Sequence, residues 1–192
     1  RRLGSAVTVL EMATIMPKDD PVLVALLRSR LQAEGINLKE ATTATAVHRT
    51  VDGAVTVRVE SAGQVQEITG SHLLVAAGRR PNIDNLDLDT AGIAFDRGGI
   101  SVDRGLKTSN RRVYAIGDVA GPYQFTHLAG YHAGIVIRNA LFRLPARVKY
   151  AAFPWVTYTD PELAQVGLNA TAAAERYADA RILEWSFDEN DR

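Results

Sequence analysis

"VYAIGDVAGPYQFTHLAG" occupies residues 113 to 130, and its reading turns on what Asp118 is for. Small and apolar residues lead into Gly117-Asp118. A short loop follows, and then a helical pattern running from about Thr126 to Phe142. An acid at the C-terminal end of an apolar run either meets a ligand or caps its own turn. On this stretch alone both readings stand, so the rest of the chain has to decide between them.

Upstream, "SAVTVLE" (5–11) is a short apolar run ending in an acid, which predicts a buried parallel strand. Asp19-Asp20-Pro21 predicts a helix start, Leu23, Leu26, Leu27 and Leu31 recur at helical spacing, and Gly35 predicts its stop. With "INLKEA" behind it, this segment reads as a βαβ unit. From Val47 to Thr69 apolar and polar residues alternate, with Asp52-Gly53 as a hairpin signal, which predicts a three-stranded antiparallel meander. "HLLVAAGRRPN" (72–82) predicts another buried strand, broken at Gly78 and Pro81. Residues 83–112 read as mostly irregular, with a short strand near Ile100–Val102. After Pro145, "FPWVTYTDPELAQVGL" (153–168) reads as two short strands around Asp160-Pro161. "NATAAAERYA" reads as a helix capped by Asn169 or Thr171, and "RILEWSF" (181–187) as a final strand.

Composition excludes several function classes. Lys+Arg and Asp+Glu both number 22, so no net charge favours nucleic acid or an anionic membrane as partner. No apolar run approaches the roughly 18 residues of a spanning helix. The first residues show no signal-peptide pattern, and a cytoplasmic location is expected. Cysteine is absent, which removes thiolate catalysis and Cys-based metal sites from this chain. His48, His72, His127 and His132 are scattered, with no carboxylate at ligand spacing, so no metal site is expected.

Glu11 stands where a dinucleotide-binding βαβ unit places the acid that accepts from the adenosine ribose hydroxyls. A 2′-phosphate would be repelled there, and the next seven residues hold no Arg and only Lys18, which favours NAD over NADP. A solvated strand end is the plain alternative. The glycine-rich turn that would bind the pyrophosphate belongs ahead of Arg1 in such a unit.

Five motifs then fall in order: Glu11 after "VTV", the helix ending at Gly35-Ile36, "LLVAAGRRPN", "TSNRRVYAIGDVAG" and "FPWVTYTDPELAQVGL". In this order they resemble the flavin-dependent pyridine nucleotide–disulfide oxidoreductases, in particular the mercuric reductase and dihydrolipoamide dehydrogenase branch. The resemblance covers essentially all 192 residues. It implies an α/β fold of partial FAD/NAD(P)-binding Rossmann-like domains, a parallel sheet plus an antiparallel meander, followed by the start of an α+β interface domain. Residues 1–77 would be the C-terminal part of the NAD(P) domain. Residues 78–148 would be the second segment of the FAD domain, and 149–192 the beginning of the dimerisation domain.

The resemblance further implies site residues. Asp118 matches the acid that binds the FAD ribitol chain, and Gly117 the residue that lets backbone approach the cofactor. Gln124, Phe125, Thr126 and His127 match the segment whose backbone meets the flavin pyrimidine edge at a helix start, where free N–H groups would favour the reduced, anionic flavin. For His127 a packed, hydrogen-bonded ring is the alternative to flavin contact. Gly78 matches a residue beside the nicotinamide end of NAD, and Ala44 a backbone position near its adenine. Arg79 and Arg80 read equally as a pairing charge or a solvated linker. Trp155, Tyr158, Pro154 and Pro161 read as core or dimer contacts.

No catalytic residue is expected in this chain. The family's redox-active Cys pair would precede Arg1, and its His-Glu dyad would follow Arg192, so the chain reads as an internal fragment, inactive by itself. The parent would be a homodimer moving electrons from NAD(P)H through FAD to a disulfide or mercuric ion. A soluble transhydrogenase of the same fold, acting through FAD without a Cys pair, and a non-catalytic dimerisation module are the alternatives.

Overall fold

Asp20 caps a helix because its carboxylate accepts from Val22 N at 2.9 Å, while Pro21 occupies a first-turn position that needs no N–H partner. From such local rules the chain builds its elements, and the computed structural model describes residues 1–190. In chain order they are β1 (Thr8–Leu10), α1 (Pro21–Ala33), β2 (Asn37–Lys39), β3 (Thr43–Arg49), β4 (Val55–Ser61) and β5 (Gln64–Gly70). Then come β6 (Phe95–Asp96), β7 (Gly99–Ile100), a 3₁₀ turn (Gly117–Val119), α2 (Thr126–Ala140), β8 (Pro154–Thr157), β9 (Leu163–Val166) and α3 (Ala170–Arg176).

The chain divides into two compact units, Arg1–Val75 with the segment from Pro154 onward, and Ala76–Phe153. In the first, β1 pairs in parallel with β2 across α1, the βαβ unit expected from sequence. β3, β4 and β5 form the antiparallel meander, with β4 central and a register shift in β3 between Ala44 and Ala46. Val57 and Val59 of β4 are buried, whereas β3 is exposed along its length. β9 pairs with β8 and sets Leu163 against Val24 and Leu27 of α1. Trp155 Nε1 donates to Asp19 Oδ1 at 2.8 Å, tying β8 to the start of α1. Asn169 caps α3 by accepting from Ala172 N. In the second unit, Leu106, Ile135 and Val148 form the core around α2.

Four expectations need correction. First, residues 72–82 form no strand and are exposed apart from partly buried Pro81. An apolar run becomes a strand only where a neighbour completes its hydrogen-bond ladder, and none does so among the described residues. Second, 181–187 likewise ends in a 3₁₀ turn at Phe187–Glu189 rather than a strand. Third, β1 is parallel but not buried: Val9 is 37% exposed, because a two-stranded sheet covers little of its own surface. Fourth, α1 buries Val24 and Leu27 and partly Leu31, while Leu23 and Leu26 face solvent. Here the helix roll follows the contact with Leu163. Tyr158, at 86% exposure, is no core residue of its unit.

Candidate functional site

The turn carrying Asp118 is held from three sides. Gly117 has φ +70°, and a Cβ there would stand 3.2 Å from Ala129 Cβ, so the missing side chain serves close approach to α2. Gly99 has φ +121°, and a Cβ on it would stand 2.5 Å from the Val119 carbonyl oxygen. That close approach is open only to glycine. Third, Gly117 N donates to His132 Nδ1 at 3.1 Å, and His132 Nε2 meets the Tyr150 hydroxyl at 2.9 Å. The turn thus rests on α2 and on β7.

Asp118 itself stays half-open. Its side chain is 42% exposed, and its Oδ2 meets Arg79 Nη1 at 3.3 Å. Arg80 instead pairs with Asp84 at 2.8 Å. A pair this long and exposed has little strength, so the carboxylate remains available to accept from hydroxyl groups. α2 begins at Thr126 with Phe125 at the cap position, which supplies no side-chain cap. The helix therefore starts without a capping side chain, its positive dipole end suited to a carbonyl or anionic edge. Gln124 and Phe125 are partly buried, and Thr126 and His127 exposed. The His127 ring stacks on Phe153 at 4.8 Å and on Phe125 at 5.4 Å, so it joins a cluster of three rings while staying exposed. Gly117, Asp118 and the 124–127 segment are brought together in one unit. This donor and acceptor set, an open carboxylate near an uncapped helix start, fits a polyhydroxylated chain ending in a polar heterocycle.

In the first unit, Glu11 closes β1. Its N–H donates to Lys39 O at 3.0 Å, its carbonyl accepts from Thr42 N at 2.9 Å, and its Oε1 accepts from Ala13 N at 3.0 Å. One carboxylate oxygen therefore orders the following loop. Ala44 is exposed on β3 beside the register shift. Gly78 belongs to the second unit, exposed and with φ +107°. Among the described residues no group of His, Asp or Glu has the geometry of a metal site.

Two constellations escaped sequence reasoning. Glu40 accepts a two-pronged bond from Arg28 (2.8 and 3.0 Å) and another from Ile15 N (2.8 Å), which fastens the loop after Glu11 to α1. These bonds hold the Glu40 carboxyl down to about 2. His132 is the other: it is fully buried, and burial pushes its imidazole below the ordinary value of 6.5. A signal existed for it, since Leu128, His132 and Ile135 share one helical stripe, placing a histidine on the core-facing side. Nothing in the sequence marks the Arg28–Glu40 fork.

The profile of the pyridine nucleotide-disulphide oxidoreductase family matches residues 1–133. A dihydrolipoyl dehydrogenase of Rhizobium etli is 37% identical over 194 residues, which cover 99% of this chain and 40% of that protein. A mercuric reductase of Bacillus cereus is 37% identical over 177 residues, covering 91% of this chain and 28% of that protein. Among solved structures, LpdA from Mycobacterium tuberculosis gives a TM-score of 0.81 at 28% identity, over 91% of this chain and 38% of its own. The HOCl-induced flavoprotein disulfide reductase RclA from Escherichia coli gives 0.79 at 28% identity, over 90% of this chain and 39% of its own. The chain spans well under half the length of each of these relatives.

Proposed function

This chain belongs to the pyridine nucleotide-disulphide oxidoreductase family, and from that premise we propose that it supplies part of the cofactor-binding framework of a flavin-dependent oxidoreductase. The reaction we assign to the full-length protein moves electrons from NAD(P)H to a disulfide or to mercuric ion. Bound FAD supplies the two-electron relay between those partners. The domain division at about 77 and 148 belongs to the same proposal, as do a homodimeric assembly and a cytoplasmic location.

The observation that carries this reading is the half-open Asp118 carboxylate, held on a propped turn near the uncapped start of α2. Asp118 accepts a charge-assisted hydrogen bond from a ribitol hydroxyl, and Gly117 keeps that turn close to α2. Residues 124–127 present main-chain donors and the positive end of α2 to the pyrimidine edge. Glu11 accepts from the adenosine ribose hydroxyls of the nicotinamide cofactor, with Ala44 offering main-chain surface near the adenine. The lone Lys18 in residues 12–18 leaves a 2′-phosphate without an arginine partner, which supports NAD over NADP.

The test is calorimetric titration of FAD into the apo form of the full-length protein and its Asp118→Asn variant. The variant keeps the shape and loses the charge, so affinity falls about ten-fold, the worth of one charge-assisted bond. Equal affinity in both proteins would remove Asp118 from the site.

A further inference from the structure

His132 is the buried titratable group that the cofactor reading leaves without a role. It lies in α2 with 0% exposure, and both ring nitrogens are engaged. An amide N–H points at Nδ1, so that nitrogen bears no proton. The ring proton sits on Nε2, which donates to the Tyr150 oxygen at 2.9 Å. Tyr150 meets Tyr123 edge-on (5.8 Å), Tyr123 stacks on Phe153 (5.3 Å), and Phe153 stacks on His127 (4.8 Å). One set of contacts therefore joins the Gly117 amide to the segment that opens α2.

Of the supports under the Asp118 turn, only this one titrates. The close approaches of Gly117 to Ala129 and of Gly99 to Val119 are steric and independent of pH. Doubly protonated, the ring would turn a second N–H against the Gly117 N–H across 3.1 Å, donor against donor. The groups facing His132 are the Tyr150 hydroxyl, the Tyr131 ring on its own helix and Gly121 near its Cε1. The Asp118–Arg79 pair lies one residue beyond the Gly117 amide. Both ring nitrogens are bonded to neutral partners, so nothing bonded to the ring favours its charged form.

We propose that His132 is a positioning residue for the Asp118 site: its unprotonated Nδ1 holds the Gly117 amide and so aims the carboxylate, and protonation of the ring releases the turn. This rests on the reading of Asp118 as a ribitol ligand. The sign of the pH effect follows from burial, which lowers the His132 value below 6.5. The unfolded or released state takes up the proton first. The support is therefore complete above about pH 6.5 and is lost as the pH falls towards the lower value of the folded protein.

The experiment uses the full-length protein, with His132→Leu, which removes the acceptor, and His132→Asn, whose amide oxygen replaces Nδ1 without titrating. Amide exchange at Gly117 is followed by mass spectrometry without added flavin, and FAD affinity by flavin fluorescence, from about pH 5 to 8. Leucine should abolish protection at Gly117 and weaken FAD about ten-fold. Asparagine should recover most of both. Wild-type affinity should fall below about pH 6.5 while that of the asparagine variant stays level. Wild-type FAD affinity that is flat across the range, or Gly117 protection unchanged by leucine, overturns the proposal. If leucine prevents folding, the wild-type titration and the asparagine variant still decide. Failure of the wild type to bind FAD at any pH overturns instead the reading of Asp118 on which the proposal rests.

Discussion

Around Asp118 the missing side chains do as much as the ones present. Gly99 sits where a Cβ would come within 2.5 Å of the Val119 carbonyl oxygen, and its φ of +121° disfavours any L side chain. Gly99→Ala must therefore strain its own backbone and push the Asp118 turn away. We expect a loss of about 2–4 kcal/mol in urea unfolding, together with weaker FAD binding by the full-length protein. An alanine variant of wild-type stability would show that the turn gives way freely. The resemblance matches Gly117 to close approach of backbone to the cofactor, and its Cβ direction also points at Ala129. Gly99 drew no attention at all, because the carbonyl it must clear lies twenty residues further along the chain.

At the scale of elements, α1 shows which local rules transmit and which do not. Its cap, its first-turn proline and its stop at Gly35 were all legible, since each depends on immediate neighbours. Its roll and its anchor were not, because both depend on Leu163 and Glu40, which lie outside the helix. The anchor has a pH signature. Arg28 and the Ile15 amide hold the Glu40 carboxyl down to about 2 from an ordinary 4.5. A depressed carboxyl contributes stability above its unfolded value and loses it as pH falls through the folded one. Arg28→Met should lower stability near neutrality, where Glu40 is ionised and the fork is complete. The gap to wild type should hold steady down to pH 4.5 and narrow between there and about 2. Urea melts across that range check it, and a gap indifferent to pH would show that the fork contributes through packing alone.

At the scale of the whole molecule, the chain matches family members over only 28–42% of their length, and several apolar residues lie open. Leu74, Val75, Leu183, Trp185 and Phe187 are each more than 70% exposed. With one half-open carboxylate and one helix start as its proposed flavin contacts, the 192-residue chain by itself should bind FAD more weakly than about 1 µM. Calorimetry on the isolated chain checks this, and tight binding would mean that these residues form a self-sufficient site. The sequence by itself determined the family, the βαβ unit, the meander, and the helix that follows Asp118. The family showed in the order of five motifs, whereas the three structural features rest on periodicity, capping and turn chemistry, which act over a few residues. Tertiary structure alone decided that 72–82 and 181–187 stay out of any sheet, which face of α1 is buried, and that His132, Tyr150 and Gly99 brace the Asp118 turn. Each of these depends on a partner distant in sequence, and a ladder, a close approach or a buried hydrogen bond exists only once both partners are in place.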